Sequence, residues 1–154
     1  MVATTSCQFF ETEKLNTETL YQEEVKTIDW KNVDQYPLFA TCEMESEKAA
    51  QKKCFESTLA SQLISAIQHK KITTVHTLQD TIILQIEITK NAKVRARGVR
   101  VDTVLFSEIP QLKDWILQSI DSLQLIAPAY KRGIPVATNF EFPVVFRTIS
   151  TSKN

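Results

Sequence analysis

Glycine is nearly missing from this chain of 154 residues, which has only 2. A loop that cradles phosphate needs several positions without a Cβ, so glycine-rich nucleotide loops are excluded. Net charge is also missing, with 18 basic residues against 18 acidic ones. A neutral chain has no bulk field to gather nucleic acid or an anionic bilayer. No apolar run approaches the ~20 residues of a membrane span. Cysteine and histidine are few: Cys7, Cys42, Cys54, His69 and His76. A structural zinc site wants four ligands in paired spacing, which this set does not offer. The expectation is a protein with no metal and no cofactor.

Apolar residues make up 43% of the chain, enough for one ordinary core. They are unevenly spread. From Gln8 to Asp34 the sequence is polar and acidic, with Glu11, Glu13, Glu18, Glu23, Glu24, Asp29 and Asp34 outnumbering Lys14, Lys26 and Lys31. Such a stretch buries too little to offset its ordering entropy. Tyr21, Val25 and Ile28 stand at the spacing of one short helix. The stretch reads as a tether that reaches about 90–100 Å when extended. Before it, Val2-Ala3-Thr4-Thr5-Ser6-Cys7 is similar to the end of a lipoprotein signal, with small Ser6 ahead of a lipid-accepting Cys7. The other reading of Cys7 is an ordinary tail cysteine. Membrane contact is expected only through such an anchor. The divisions are therefore 1–35 for signal remnant and tether, 36–148 for the folded domain, and 149–154 for a disordered tail.

The folded part opens with Tyr36-Pro37-Leu38-Phe39, which Pro37 biases toward extended geometry. Ala50, Cys54, Phe55, Leu59, Leu63, Ile64 and Ile67 recur at three- and four-residue steps, predicting a helix over Glu47–Lys70. Ser46 is its expected cap, and Lys70 and Lys71 suit its last turn. Cys42 lies just before this helix and Cys54 on it. A bridge would pin the arm to the helix; the alternative is two buried free thiols.

Ile82, Leu84, Ile86 and Ile88 alternate with Ile83, Gln85 and Glu87, the period of a half-buried strand. A returning strand carries Val94 and Ala96 on its apolar face, then shifts to Val99 and Val101 after Gly98. A one-residue bulge at Gly98 repairs that change of parity. Matching apolar faces sets Ile88 opposite Val94 across a three-residue loop, and Glu87 opposite Arg95. Ile109, Leu112, Ile116, Ile120 and Leu123 predict a second helix over Glu108–Leu123, capped by Ser107 with Pro110 in its first turn. The last strand runs from Pro135 to Arg147, with Val136, Phe140, Phe142, Val144 and Phe146 facing inward. Pro143 has no N–H and directs this strand to a sheet edge. The expected fold is α+β, with two helices on one face of a three-stranded antiparallel sheet in the order 2-1-3.

Several segments together resemble the TonB C-terminal domain family, in the form found in Bacteroidetes-like energy transducers. They are Tyr36-Pro37-Leu38-Phe39 with Cys42 and a helical Cys54, the hairpin from Ile86 to Val94, and a closing motif. That motif is Pro128-Ala129-Tyr130-Lys131-Arg132-Gly133-Ile134-Pro135-Val136 followed by Phe142-Pro143-Val144-Val145-Phe146. The match spans residues 36–147, and Ala92 stands where the family usually has a turn glycine. The resemblance implies a non-enzymatic periplasmic module that binds an outer-membrane receptor peptide by strand addition beside the last strand. Its site is then the outer edge carrying Ala137, Asn139, Glu141, Val145 and Arg147. An open edge offers unpaired N–H and C=O groups to any extended guest. The alternatives are a stand-alone adaptor that binds another envelope protein, and a homodimer through the same edge.

Other candidates weigh less. Lys93, Arg95, Arg97 and Arg100 form a basic stripe without interleaved aromatics, which suits a solvated strand face better than phosphate binding. A thiolate–imidazole pair is the enzymatic candidate. Cys54 and His69 on one helix stand about 22 Å apart along its axis, too far to meet. Trp30 reads as an anchor packing the arm on the domain, and Trp115 as the rim of the core.

Overall fold

The computed structural model describes residues 28–70 and 72–148. Cys7, the tether as far as Thr27, Lys71 and residues 149–154 lie outside the described residues. Among the described residues, nine elements of α or β structure follow in chain order. They are β1 (Ile28–Asp29), α1 (Lys48–Gln68), β2 (Gln79–Ile88), β3 (Val94–Arg100), α2 (Thr103–Glu108), α3 (Leu112–Asp121), β4 (Ala129–Lys131), β5 (Ile134–Val136) and β6 (Thr138–Arg147).

The fold is α+β, and the long strands fall in the expected order. β2 lies centrally, with β3 on one side and β6 on the other, antiparallel in both cases. Ile88 faces Val94 and Glu87 faces Arg95. The register shifts between Gln85 and Ile86, so the bulge falls at Arg97–Gly98. A Cβ at Gly98 would run into the Gln85 side chain, so the absence of one lets Gln85 lie across the bulge. The hairpin closes through the Thr89 N–H donating to the Lys93 carbonyl at 2.9 Å, around a three-residue loop. Ala92 takes the left-handed conformation there, at φ 60°.

The expected three-stranded antiparallel sheet is corrected in one respect: among the described residues the main sheet has four strands and is mixed. β1 runs parallel to β6 on its outer side, with Ile28 opposite Thr138 and Asp29 opposite Asn139. A two-residue strand carries no alternation, so periodicity gives no sign of it. β4 and β5 form a separate small hairpin. Its two-residue loop has Arg132 at φ 50° and Gly133 at φ 76°, the pair of left-handed residues that a type I′ turn demands.

The helices show a second correction. The expected Glu108–Leu123 helix is two helices, α2 and α3, divided at Ile109-Pro110. Pro110 excludes its predecessor from the helical region, and Ile109 sits at φ −133°, ψ 74°. Ser107 is thus inside α2 rather than a cap. The Asp102 carboxylate caps α2 by accepting from the Val104 N–H at 2.8 Å. Glu47, not Ser46, is the N-cap of α1.

The core lies between the sheet and the helices. Phe55, Leu59, Leu63 and Ile67 of α1 and Leu112, Ile116 and Ile120 of α3 meet Ile82, Leu84, Ile86 and Ile88 of β2. Phe142, Val144 and Phe146 complete that face from β6. Trp30 and Val33, assigned to the tether by composition, are buried at 6% and 0% exposure. The packed chain therefore starts ahead of Tyr36. Trp30 stacks on Phe140 at 4.2 Å between centroids and meets Phe55 at 5.1 Å and Tyr36 at 4.6 Å. Those ring contacts hold the arm on the domain, as an anchoring role for Trp30 requires.

Candidate functional site

β6 is positioned by its long ladder with β2, from Gln79–Arg147 to Ile88–Thr138. Side chains alternate: Phe142, Val144 and Phe146 are buried, whereas Asn139, Glu141, Pro143, Val145 and Arg147 are exposed. The backbone alternates in the sheet plane as well. The Ile28 N–H donates to the Ala137 carbonyl at 2.9 Å, so the odd-numbered residues direct their peptide groups away from β2. Pro143 is one of these, and its missing N–H costs the β2–β6 ladder nothing.

β1 covers only the start of this border. The Ala137 carbonyl is occupied, and the parallel ladder addresses Asn139 next. The expected site from Ala137 to Arg147 therefore shortens to Glu141–Arg147. Among the described residues no strand pairs with the outer side of that part of β6, the side away from β2. The chain leaves the border at Asp29, whose carboxylate accepts from the Lys31 N–H at 2.8 Å and caps a single 3-10 turn. That turn carries Trp30 down into the core.

The departure leaves a notch. A cleft of about 660 Å³ lies there, lined by Trp30, Lys31 and Phe140, with Glu141 on its outer-face side. Lys52 and Glu56 of α1 line its helix side, and Gln85 and Arg97 line it from the opposite face of the sheet. Further along, a narrow crevice of about 60 Å³ runs between α1 and β6, lined by Leu63, Ile64, Ile67, Val144, Phe146 and Arg147. Val145 is 60% exposed on the far face, so the open border is flanked by apolar groups on both sides.

The outer sheet face resolves the basic stripe. Arg97 pairs with the largely buried Glu87, and Arg100 donates to Glu141 Oε1 at 3.1 Å. Gln85 Nε2 donates to the same oxygen at 3.2 Å. Two of the four basic residues are thus neutralised by carboxylates, as on a solvated strand face.

Two further features hold the arm that borders the notch. Cys42 and Cys54 form a disulfide with Cα atoms 5.9 Å apart, which joins the 3-10 turn at Ala40–Cys42 to α1. Of the two readings of these thiols, the bridge is the one present. In the bonded state neither sulfur is a nucleophile for His69 or His76. The arm also pairs with the 126–130 segment: Tyr130 N–H donates to Gln35 at 3.0 Å and Leu38 N–H to Ala127 at 3.0 Å. Asp34 accepts from the Arg132 backbone N–H at 2.7 Å and from Lys131 Nζ at 3.2 Å. These donors, the Arg132 amide foremost, hold the Asp34 carboxyl below its ordinary value. Burial, aided by Glu56, pushes the Tyr36 hydroxyl the other way, above its ordinary value.

Among the described residues, no three His, Cys, Asp or Glu side chains gather as a metal site. None of the described helices is long and apolar enough to cross a membrane. Trp115 sits at the rim of the core, with Lys70 Nζ above its ring at 5.9 Å. Comparison with protein-family models, curated proteins and solved structures gives no match.

Proposed function

We propose that this chain is a non-enzymatic protein-binding module that captures an extended peptide by strand addition along Glu141–Arg147 of β6. The observation that carries the reading is the outer border of β6 beyond Asn139, with which no strand pairs among the described residues. A guest backbone there would extend the sheet, and backbone pairing would supply affinity. The cleft beside Trp30 and the apolar flanks Val145 and Ile64 would supply side-chain selectivity. The resemblance to TonB C-terminal domains supplies the identity of the guest: a short segment of an outer-membrane receptor. It also gives the place, an envelope compartment; the separate likeness of Val2–Cys7 to the end of a lipoprotein signal makes Cys7 the lipid attachment point. A disulfide is compatible with such an oxidising compartment.

The test follows from the alternation of the ladder. Val145 faces Thr81 without using its N–H toward β2, so Val145→Pro removes an outward donor and leaves the internal ladder whole. Extended receptor peptides are titrated against wild type and V145P by calorimetry. Loss of at least tenfold in affinity is expected, about 1.4 kcal/mol. Equal binding by the two proteins excludes this border.

A further inference from the structure

The open border is complementary to itself. Glu141 and Arg147 stand at its two ends, with Pro143 and exposed Val145 between them. All four belong to the outward-directed set. We infer that this border pairs antiparallel with the same border of a second copy of this chain, about a twofold axis at Val144.

That axis sets Glu141 opposite the partner's Arg147, and Arg147 opposite the partner's Glu141. Pro143 meets the partner's Val145, and the reverse. Opposite charges directly across an antiparallel pair stabilise it, as do apolar pairs. Glu141 Oε1 already accepts from Arg100 and Gln85, which leaves Oε2 for the partner's Arg147. The Pro143 carbonyl can accept from the partner's Val145 N–H, so proline removes one bond per strand and no more.

Neighbouring registers fail for stated reasons. An axis at Pro143 sets Arg147 against the partner's Asn139, where β1 already lies. An axis at Val145 sets Glu141 beyond the end of β6 and Arg147 against proline. Only the axis at Val144 joins both charge pairs and clears β1. It also brings the α1–β6 crevices of the two copies, with their exposed Ile64 residues, onto one face of a continuous sheet. The pairing uses the border proposed for peptide capture but does not rest on that proposal. If both occur, they compete.

Sedimentation velocity of the full chain across micromolar concentrations tests it. Wild type is expected to dimerise. Glu141→Arg and Arg147→Glu should each weaken the dimer about tenfold, because each sets like charges across both pairs. An equimolar mixture of the two single variants restores both attractions and should form the heterodimer at wild-type strength. The double variant E141R/R147E should recover the homodimer, and recovery also shows that the substituted chains are folded. A wild-type protein monomeric throughout overturns the inference, and so does a dimer indifferent to all three changes. Failure of both the mixture and the double variant to recover overturns this register. Peptide capture by a monomeric wild type would leave the proposed function standing while ending this one.

Discussion

Single residues carry two measurable consequences. Ala92 adopts φ 60° in the β2–β3 loop, a conformation that brings its Cβ against the following carbonyl. Glycine has no such contact. Ala92→Gly is therefore expected to stabilise the fold by about 0.5–1 kcal/mol, since relief of strain exceeds the added freedom of the unfolded chain. Urea unfolding with an unchanged slope checks it. Asp34 makes the opposite kind of case. Its folded-state pKa is depressed, so its contribution is present at neutral pH and is lost as pH falls below 3.8 through the folded value. Asp34→Asn should unfold at lower denaturant than wild type near pH 7, with the gap closing in that acid window. A gap that persists unchanged at the acid end would contradict the assignment. The turn at Ala92 was legible as a three-residue loop from strand parity alone. The role of Asp34 was not, because its partners Lys131 and Arg132 lie far along the chain and local pattern cannot report them.

Elements with strong periodicity were readable, and those built by single residues were not. The stripe of α1, the alternation of β2 and the bulge at Gly98 followed from spacing, and their register came out as parity required. The α2–α3 break is not visible in the apolar stripe. Proline is tolerated in a first helical turn, but the same residue also restricts Ile109 before it, and that restriction prevailed. β1 was missed because two residues cannot show a period. The shortened site is the direct result, since β1 occupies the Ala137–Asn139 end that the sequence left open. The bridge across Cys42 and Cys54 closes a loop with a sequence separation of 12, which corresponds to about 3 kcal/mol in a chain-entropy account. Reduction, or Cys54→Ser, should lower stability by about that amount. Thermal unfolding with and without a dithiol reductant measures it; no shift in midpoint would show that packing alone holds the arm.

In the whole molecule, Trp30 is the point where arm, helix and sheet meet. Its contacts with Tyr36, Phe55 and Phe140 are also what ends β1 after two residues. Trp30→Ala should cost about 3–5 kcal/mol by the usual toll of a buried aromatic. It should also release β1, so that hydrogen exchange at the Asn139 amide quickens more than at the β2–β6 ladder. Uniform quickening would show global loosening instead. The layered architecture and the central place of β2 were legible because hydrophobic faces must be matched. The extent of the free border was not, because a polar stretch with one tryptophan resembles a tether until its ring finds a socket. The disulfide has a mechanical consequence. A pull on the backbone entering at Ile28 would shear β1 first and draw out Trp30 second. Unravelling would then run along the arm to Cys42 and stop, because the covalent link to Cys54 passes the tension into α1. Fully extended, the freed segment from Ile28 to Cys42 spans at most about 50 Å; past that, the strain falls on the layered body itself.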